Sequence, residues 1–218
     1  MGLFTGLATA QVSTRLPDPI DGTADFLVNS IRYKDNRNGG FRVVSDLTCV
    51  RSVEGGNQKG DHVQYTIFGG DYFHKELKAL ILTLAGVEPS EEDAIVDMMC
   101  PKDDPAYAKM DDLTRMNKAW EMIGNQATAM GDDGKPTASG MFDGQVIVRL
   151  RTITKPAKPT GKFIKNAAGE LVEEVGKPFT NHYPIAQIPF SDVAGDLDER
   201  DIVRIFGSVA KFSELLNG

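Results

Sequence analysis

Histidine and cysteine, which often serve in catalysis and metal binding, are few and widely spaced in this 218-residue chain. Its three histidines and two cysteines have no spacing typical of a zinc site. Nucleotide-binding, zinc-protease and nucleophile-elbow motifs are absent. The acidic pairs Asp103–Asp104 and Asp111–Asp112 could hold magnesium, but a predicted helix start also favours carboxylates there. We therefore predict no enzyme activity, metal or cofactor, and keep a metal-dependent nuclease as an alternative.

Basic and aromatic side chains cluster on predicted strands and their loops, as expected for a surface that binds single-stranded nucleic acid. In such a surface, cations contact the phosphates and flat rings stack on the bases. The predicted phosphate contacts are Arg32, Lys34, Arg37 and Arg42 around the first hairpin, and Arg149, Arg151, Lys155, Lys158 and Lys162 around the fourth strand and its following loop. The predicted stacking residues are Tyr33, Tyr65 and Phe163. The alternative is that these are solubilising charges and core aromatics.

The charge of the chain is unevenly distributed. The formal net charge is −7 at pH 7, and nine acidic and two basic residues within 88–112 account for all of it. Residues 144–169 contain six basic and no acidic side chains. A stretch of one sign produces a local positive field even on an acidic protein. Nucleic-acid binding is therefore compatible with the acidic total, although a solvated basic hairpin would have the same composition.

Alternation and helical periodicity predict the elements that position these residues. A meander of three strands comes first, then helices with apolar stripes, then a strand, a hairpin, another strand and a final helix. The predicted strands and hairpin cover 24–33, 41–51, 62–68, 145–154, 163–175 and 178–188, and the predicted helices lie within 72–84, 90–99, 107–123 and 196–217.

The order of these elements predicts a β-rich α+β protein with an OB-fold-like five-stranded barrel. In that arrangement one domain spans 1–218, with a lead-in over 1–22 and a helical insertion over 70–125 between strands 3 and 4. Strands 4 and 5, with the basic hairpin, occupy 145–188, and a C-terminal helix occupies 196–217. The two basic clusters then flank the cleft that an OB barrel uses for binding. An α+β sandwich of two layers would give the same order.

The pattern resembles the OB-fold single-stranded-DNA-binding proteins encoded by short-tailed lytic bacteriophages. The segments that carry the resemblance are Gly22 to Val28, the hairpin at Gly39–Gly40, Asp61 to Phe68, Lys75 to Gly86, Val146 to Lys165 and Gly176 to Tyr183. The resemblance implies single-stranded-DNA binding, self-association and a role in phage replication, recombination or transcription. The C-terminus, Phe212 to Gly218, lacks the acidic tail that many such proteins use to recruit partners.

Localisation and assembly follow from coarser features. With two separated cysteines, no signal-peptide pattern and no run of eighteen apolar residues, we expect a cytoplasmic protein, in the host cytoplasm if it is phage-encoded. The apolar side of the final helix either packs on its own domain or pairs with a second copy to form a homo-oligomer. A structural or assembly protein that binds a protein partner is the alternative function.

Overall fold

Seven strands carry most of the fold in the computed structural model, which describes residues 17–35, 40–131, 134–135, 137, 140–142, 144–176 and 178–217. The strands are β1 (Gly22–Asp35), β2 (Phe41–Glu54), β3 (His62–Phe68), β4 (Ile147–Lys155), β5 (Pro159–Lys165), β6 (Leu171–Val175) and β7 (Phe179–Ile188). Five of them form one antiparallel sheet in the order β3-β2-β1-β4-β7. The remaining two, β5 and β6, pair with each other as a separate ribbon.

In the described part of the chain, six α-helices cover the two faces of the five-stranded sheet. They are α1 (Phe73–Leu84), α2 (Glu92–Met99), α3 (Asp112–Ala127), α4 (Phe190–Ala194), α5 (Glu199–Phe206) and α6 (Val209–Asn217). One core lies between the sheet and α1 to α3, and a second lies between the opposite face and α4 to α6. On β1, Phe26 and Val28 enter the first core and Leu27 enters the second. A strand covered on both faces is buried at successive positions, as residues 23–28 are.

The β-rich α+β class predicted from the sequence is confirmed, but a closed five-stranded barrel is not observed. The strands are hydrogen-bonded as an open sheet, with β3 and β7 at its two edges. At the β3 edge, the backbone N–H of Gln64 donates to the carbonyl of Pro17 at 2.8 Å rather than to a residue of β7. A cleft bordered by both strands and α1 lies between the edges.

The single C-terminal helix predicted over 196–217 is two helices. Gly207 adopts φ 85°, a left-handed conformation that ends α5, and α6 begins at Val209. Phe212 of α6 is buried and packs on Phe206 of α5, with ring centroids 4.6 Å apart. This apolar side therefore packs on the chain's own sheet. Within the described residues, no helix is long and apolar enough to cross a membrane.

The helix predicted over 107–123 begins later than its periodicity indicates. Residues 101–110 form turns, and α3 starts after Asp111, whose side chain accepts a hydrogen bond from the Thr114 amide at 2.9 Å. Asp111 is thus an N-cap residue. The cap and the preceding turns explain why Tyr107 and Met110 lie outside the helix despite their apolar spacing.

Candidate nucleic-acid interface

Three of the predicted phosphate-contacting residues lie on one face of the sheet. Lys34 on β1 is opposite Arg42 on β2, and Arg42 is opposite Phe68 on β3. Two residues along, Arg32 is opposite Val44. Because side chains two residues apart in a strand point to the same side, Arg32, Lys34, Arg42 and Phe68 share a face. We call these four residues the basic face.

The cations of the basic face differ in whether they form an ion pair. Arg32 forms an ion pair with Asp46, whose carboxylate also accepts from Ser30 Oγ at 3.1 Å and Gln64 Nε2 at 2.8 Å. No acidic partner of Lys34 or Arg42 occurs in the described part of the chain. The pKa of the Lys34 ammonium is lowered, first by partial burial and then by the charges of Arg32 and Arg42. Three crowded cations, one of them neutralised, favour a bound anion.

Arg42 also has an unused donor. Its Nε is buried and has no hydrogen-bond partner among the residues that the structure describes. A buried donor without an acceptor costs about 1–3 kcal/mol, and a ligand oxygen could accept from Nε only if the Arg42 side chain moved. The hydrogen-bonding capacity of the Arg42 guanidinium is thus not fully used among the described residues.

A cleft of about 680 Å³ adjoins the basic face between the edges of β3 and β7. Three exposed aromatic rings line it: Phe68 at the end of β3, Tyr72 at the start of α1 and Tyr183 on β7, with exposed fractions of 56%, 71% and 43%. Phe68 belongs both to this cleft and to the basic face. Exposed rings beside cations are the components that stacking on unpaired bases requires.

The interior of the cleft contains Tyr65 of β3 and His182 of β7. Their rings are in edge contact with centroids 5.0 Å apart, and His182 Nδ1 lies 3.1 Å from Thr152 Oγ1. Burial raises the pKa of the Tyr65 hydroxyl, and the nearby Glu76 charge raises it further. Burial lowers the pKa of His182, although the charges of Asp18 and Asp21 oppose that shift. Both side chains are therefore neutral near pH 7.

The stacking residues predicted from the sequence do not include Phe68, Tyr72 or Tyr183. Tyr72 has the spacing of the apolar stripe of α1, but it is the N-cap residue of that helix and points away from the core. Phe68 and Tyr183 lie on strands where alternation alone does not distinguish an exposed face from a buried one. Only the order of strands in the sheet brings the three rings to one cleft.

Two of the predicted stacking residues lie on the core side of the sheet. Tyr33 is half-buried and stacks on Phe41, with ring centroids 6.0 Å apart. Tyr65 is 4% exposed and reaches the cleft from within the core. The third, Phe163, is 67% exposed on the β5–β6 ribbon. Arg37 lies outside the described residues.

Arg149 is engaged in a buried ion-pair network. The Asp25 carboxylate is fully buried and accepts from Arg149 Nε at 2.7 Å and Nη2 at 3.0 Å. It also accepts from Arg51 Nε at 2.9 Å and Nη2 at 2.7 Å. Arg51 continues to the Asp192 carbonyl and the Asp196 carboxylate, both at 2.8 Å. The hydrogen bonds that Arg149 donates to Asp25 raise the pKa of Arg149, and its charge is paired within the protein.

The remaining predicted cations lie outside the basic face. Arg151 is exposed and lies opposite Tyr183 in the β4–β7 pair. Lys155 ends β4, Lys158 lies in the loop after it, and Lys162 is on β5; all three are exposed. Arg151 is thus placed at the Tyr183 side of the cleft, whereas Lys158 and Lys162 belong to the ribbon and its approach.

The carboxylates considered for a nuclease have structural roles or are solvated. Asp111 caps α3, and hydrogen bonds from Thr114 lower its pKa. Asp104 accepts from the Ala106 amide at 2.8 Å, and Asp112 lies 3.9 Å from Lys102 Nζ. Among the residues that the structure describes, no three His, Cys, Asp or Glu side chains are grouped to hold a metal ion.

A scan against protein-family models and a search of curated proteins find no match to this chain.

Proposed function

We propose that this chain is a sequence-independent single-stranded-DNA-binding protein. The observation that carries the proposal is the row Lys34–Arg42–Phe68. In it, two cations without an acidic partner among the described residues lead across the sheet to an exposed ring at the mouth of the cleft. Phosphates bind along Arg32, Lys34 and Arg42, and bases stack on Phe68, Tyr72 and Tyr183. Arg151 extends the path on the far side of the cleft.

The separation of charges within the site supports an orientation of the DNA strand in which its phosphates lie on the basic face and its bases lie in the cleft. The cleft is lined by the carboxylates of Asp18, Asp71 and Glu76 and by one basic side chain, Lys75. Phosphates are repelled from such a surface and attracted to the basic face beside it. Bases carry no charge at neutral pH, so they enter the cleft while the backbone follows the cations.

An OB-type interpretation of the sheet is part of the proposal. The order β3-β2-β1-β4-β7 has the long first strand paired with both its successor and the fourth strand. An OB barrel with this order closes by bringing its third and last strands together. The contact between the Tyr65 and His182 rings is the point at which the two edges approach. The binding face of such a barrel is formed by strands 2 and 3, where Arg42 and Phe68 lie.

The biological role follows the same proposal. A protein that coats single strands without reading their sequence serves DNA replication, recombination or transcription, for which neither catalysis nor a cofactor is needed. In a phage-encoded protein that role lies in the host cytoplasm. Assembly of several copies would add weak strand contacts together through effective concentration.

The β5–β6 ribbon favours binding to a protein partner as a second candidate function. Phe163, Leu171 and Val175 are each at least 60% exposed on it. Two-stranded ribbons are marginally stable when no other element covers them, so a partner surface would stabilise this one. Replacing the three with Ser should abolish a partner complex or a homo-oligomer seen by light scattering. An unchanged mass would exclude the ribbon as that interface.

Binding of labelled thirty-nucleotide single strands, followed by fluorescence anisotropy without divalent metal, tests the main proposal. The matched duplex is the control, and both are titrated across a salt series. We expect tight single-strand binding that weakens steeply with salt, and little duplex binding, because paired bases cannot enter the cleft. No binding to single strands at low salt would refute the proposal.

A further inference from the structure

The cleft contains polar groups that the stacking of bases does not use. Tyr65 is 4% exposed, yet it lines the cleft, and its hydroxyl has no hydrogen-bond partner among the described residues. His182 uses Nδ1 toward Thr152 and has its other ring nitrogen available. A tyrosine hydroxyl can both donate and accept a hydrogen bond, so the Tyr65 hydroxyl at the cleft wall can contact a ligand that enters the cleft.

The carboxylates of the cleft are hydrogen-bond acceptors only. Asp71 follows β3 and Glu76 lies on α1, and both side chains are exposed to the cleft. An ionised carboxylate attracts N–H donors and repels carbonyl oxygens. In contacts with DNA, Asp and Glu accept from the exocyclic amino group of cytosine. The cleft therefore contains carboxylates, which only accept hydrogen bonds, and the Tyr65 hydroxyl, which both donates and accepts.

Nucleobases differ in how well their donors and acceptors match the hydrogen-bonding groups of the cleft. Cytosine has an amino donor next to a ring nitrogen and a carbonyl that accept, whereas thymine has a carbonyl oxygen in place of the amino group. A carboxylate that accepts from the cytosine amino group therefore meets an oxygen when thymine is bound. The cleft volume of about 680 Å³ lies within the range of about 300–1,000 Å³ found for small-molecule pockets.

We propose that the cleft between β3 and β7 is a base-recognition pocket that selects bases bearing an exocyclic amino group, cytosine above all, over thymine. Asp71 and Glu76 accept from the amino group, the Tyr65 hydroxyl hydrogen-bonds the ring edge, and Tyr72 and Tyr183 stack on the base. The proposal rests on the proposed function, since the pocket acts only on a strand that the basic face already holds. It adds a base preference to otherwise sequence-independent binding.

Binding of thirty-nucleotide oligo(dC) and oligo(dT) at pH 8 tests the pocket. The readout is the ratio of their dissociation constants, in the wild type, in the double variant Asp71→Asn/Glu76→Gln and in Tyr65→Phe. We expect oligo(dC) to bind about tenfold more tightly than oligo(dT) in the wild type. The ratio should fall toward one in the double variant, because amides no longer repel the thymine oxygen, and it should fall in Tyr65→Phe. The control Glu91→Gln, an exposed acid next to α2, should leave the ratio unchanged.

The outcomes separate the pocket from the function on which it rests. Tight binding of both oligonucleotides with a ratio of one, or a ratio that the variants leave unchanged, would overturn the base pocket and leave strand binding intact. Failure of the wild type to bind either oligonucleotide would overturn both. Circular dichroism melts of each variant establish that a lost preference is not lost folding.

Discussion

The ring of Tyr65 on β3 lies 5.0 Å from the ring of His182 on β7, although these strands are the opposite edges of the sheet and are not hydrogen-bonded neighbours. The sheet therefore curves until its two edges face each other. This curvature creates the cleft and brings Phe68 and Tyr183, which are far apart in sequence, to one opening. The proposed binding path depends on this one long-range contact.

Stability should depend on pH through His182. Its pKa is lowered from 6.5 by burial, so the unfolded chain binds a proton more readily than the folded one. Its contribution to stability is therefore present above about pH 6.5 and lost as the pH falls through the lowered value. Urea unfolding at pH 7.5 and 5.5 should show a smaller loss of stability on acidification in His182→Asn than in the wild type. The control His74→Asn, on an exposed histidine of α1, should retain the wild-type loss; identical pH dependence in all three proteins would contradict the assignment.

Replacing Asp25 with Asn should strongly destabilise the fold. The carboxylate is fully buried between Arg51 and Arg149, and its loss leaves Arg149 without its counter-ion and Arg51 with only Asp196. We expect the free energy of unfolding to fall by about 3–5 kcal/mol, as for other broken buried ion pairs. Asp103→Asn, an exposed acid, should change it by less than about 0.5 kcal/mol. Equal small effects in urea unfolding would show that the network does not hold β1, β2 and β4 together.

Gly207→Ala should destabilise the C-terminal helices through backbone strain alone. Gly207 has φ 85°, and no atom lies within 4 Å of the Cβ that alanine would add. We expect a loss of about 1–2 kcal/mol, because an L-residue is disfavoured in the left-handed region. Gly195→Ala is the matched control: its φ is −70° and its Cβ also meets no neighbour. Thermal melts in which Gly195→Ala is neutral or stabilising and Gly207→Ala is not would agree; equal melting temperatures would not.

Phe68→Ala should weaken single-strand binding without unfolding the protein. The ring is 56% exposed at the junction of the basic face and the cleft. Loss of one stacked base costs about 1–3 kcal/mol of binding free energy. Leu113→Ala, which truncates an apolar side chain of α3 that is 66% exposed, is the control and should bind like the wild type. Anisotropy titrations in which both variants keep wild-type affinity would remove Phe68 from the site.

Local residue patterns predict the secondary-structure elements well, but they predict the arrangement of those elements less well. The β3 strand from His62 to Phe68 alternates clearly, and its bounds follow from the sequence. The sequence does not reveal the break at Gly207, because an apolar periodicity continues across it through Ile202, Ile205, Val209 and Phe212. Whether a glycine adopts a left-handed conformation depends on how the following helix packs, here through Phe212 on Phe206.

The candidate site shows the same division. The sequence predicts a hairpin cluster of Arg32, Lys34 and Arg42, and strand pairing places them together because hairpin neighbours are close in sequence. Arg149 has the same residue type and alternation, but its partner Asp25 is 124 residues away. No local sequence pattern predicts that a buried carboxylate will form an ion pair with Arg149. The sequence does not predict the exposed rings of Tyr72 and Tyr183 either, because their exposure depends on how the start of α1 and the strand β7 are placed in the fold.

The salt dependence of single-strand binding in Lys34→Gln/Arg42→Gln tests the central claim most directly. These substitutions remove the two cations of the basic face that have no acidic partner in the described part of the chain. If both contact phosphates, the slope of log affinity against log salt should become shallower by about 1.4, at roughly 0.7 per phosphate on a single strand. The control Lys109→Gln/Lys118→Gln removes two exposed lysines of the helical insertion and should keep the wild-type slope. A slope that the Lys34 and Arg42 substitutions leave unchanged, or that both double variants reduce equally, would contradict the account.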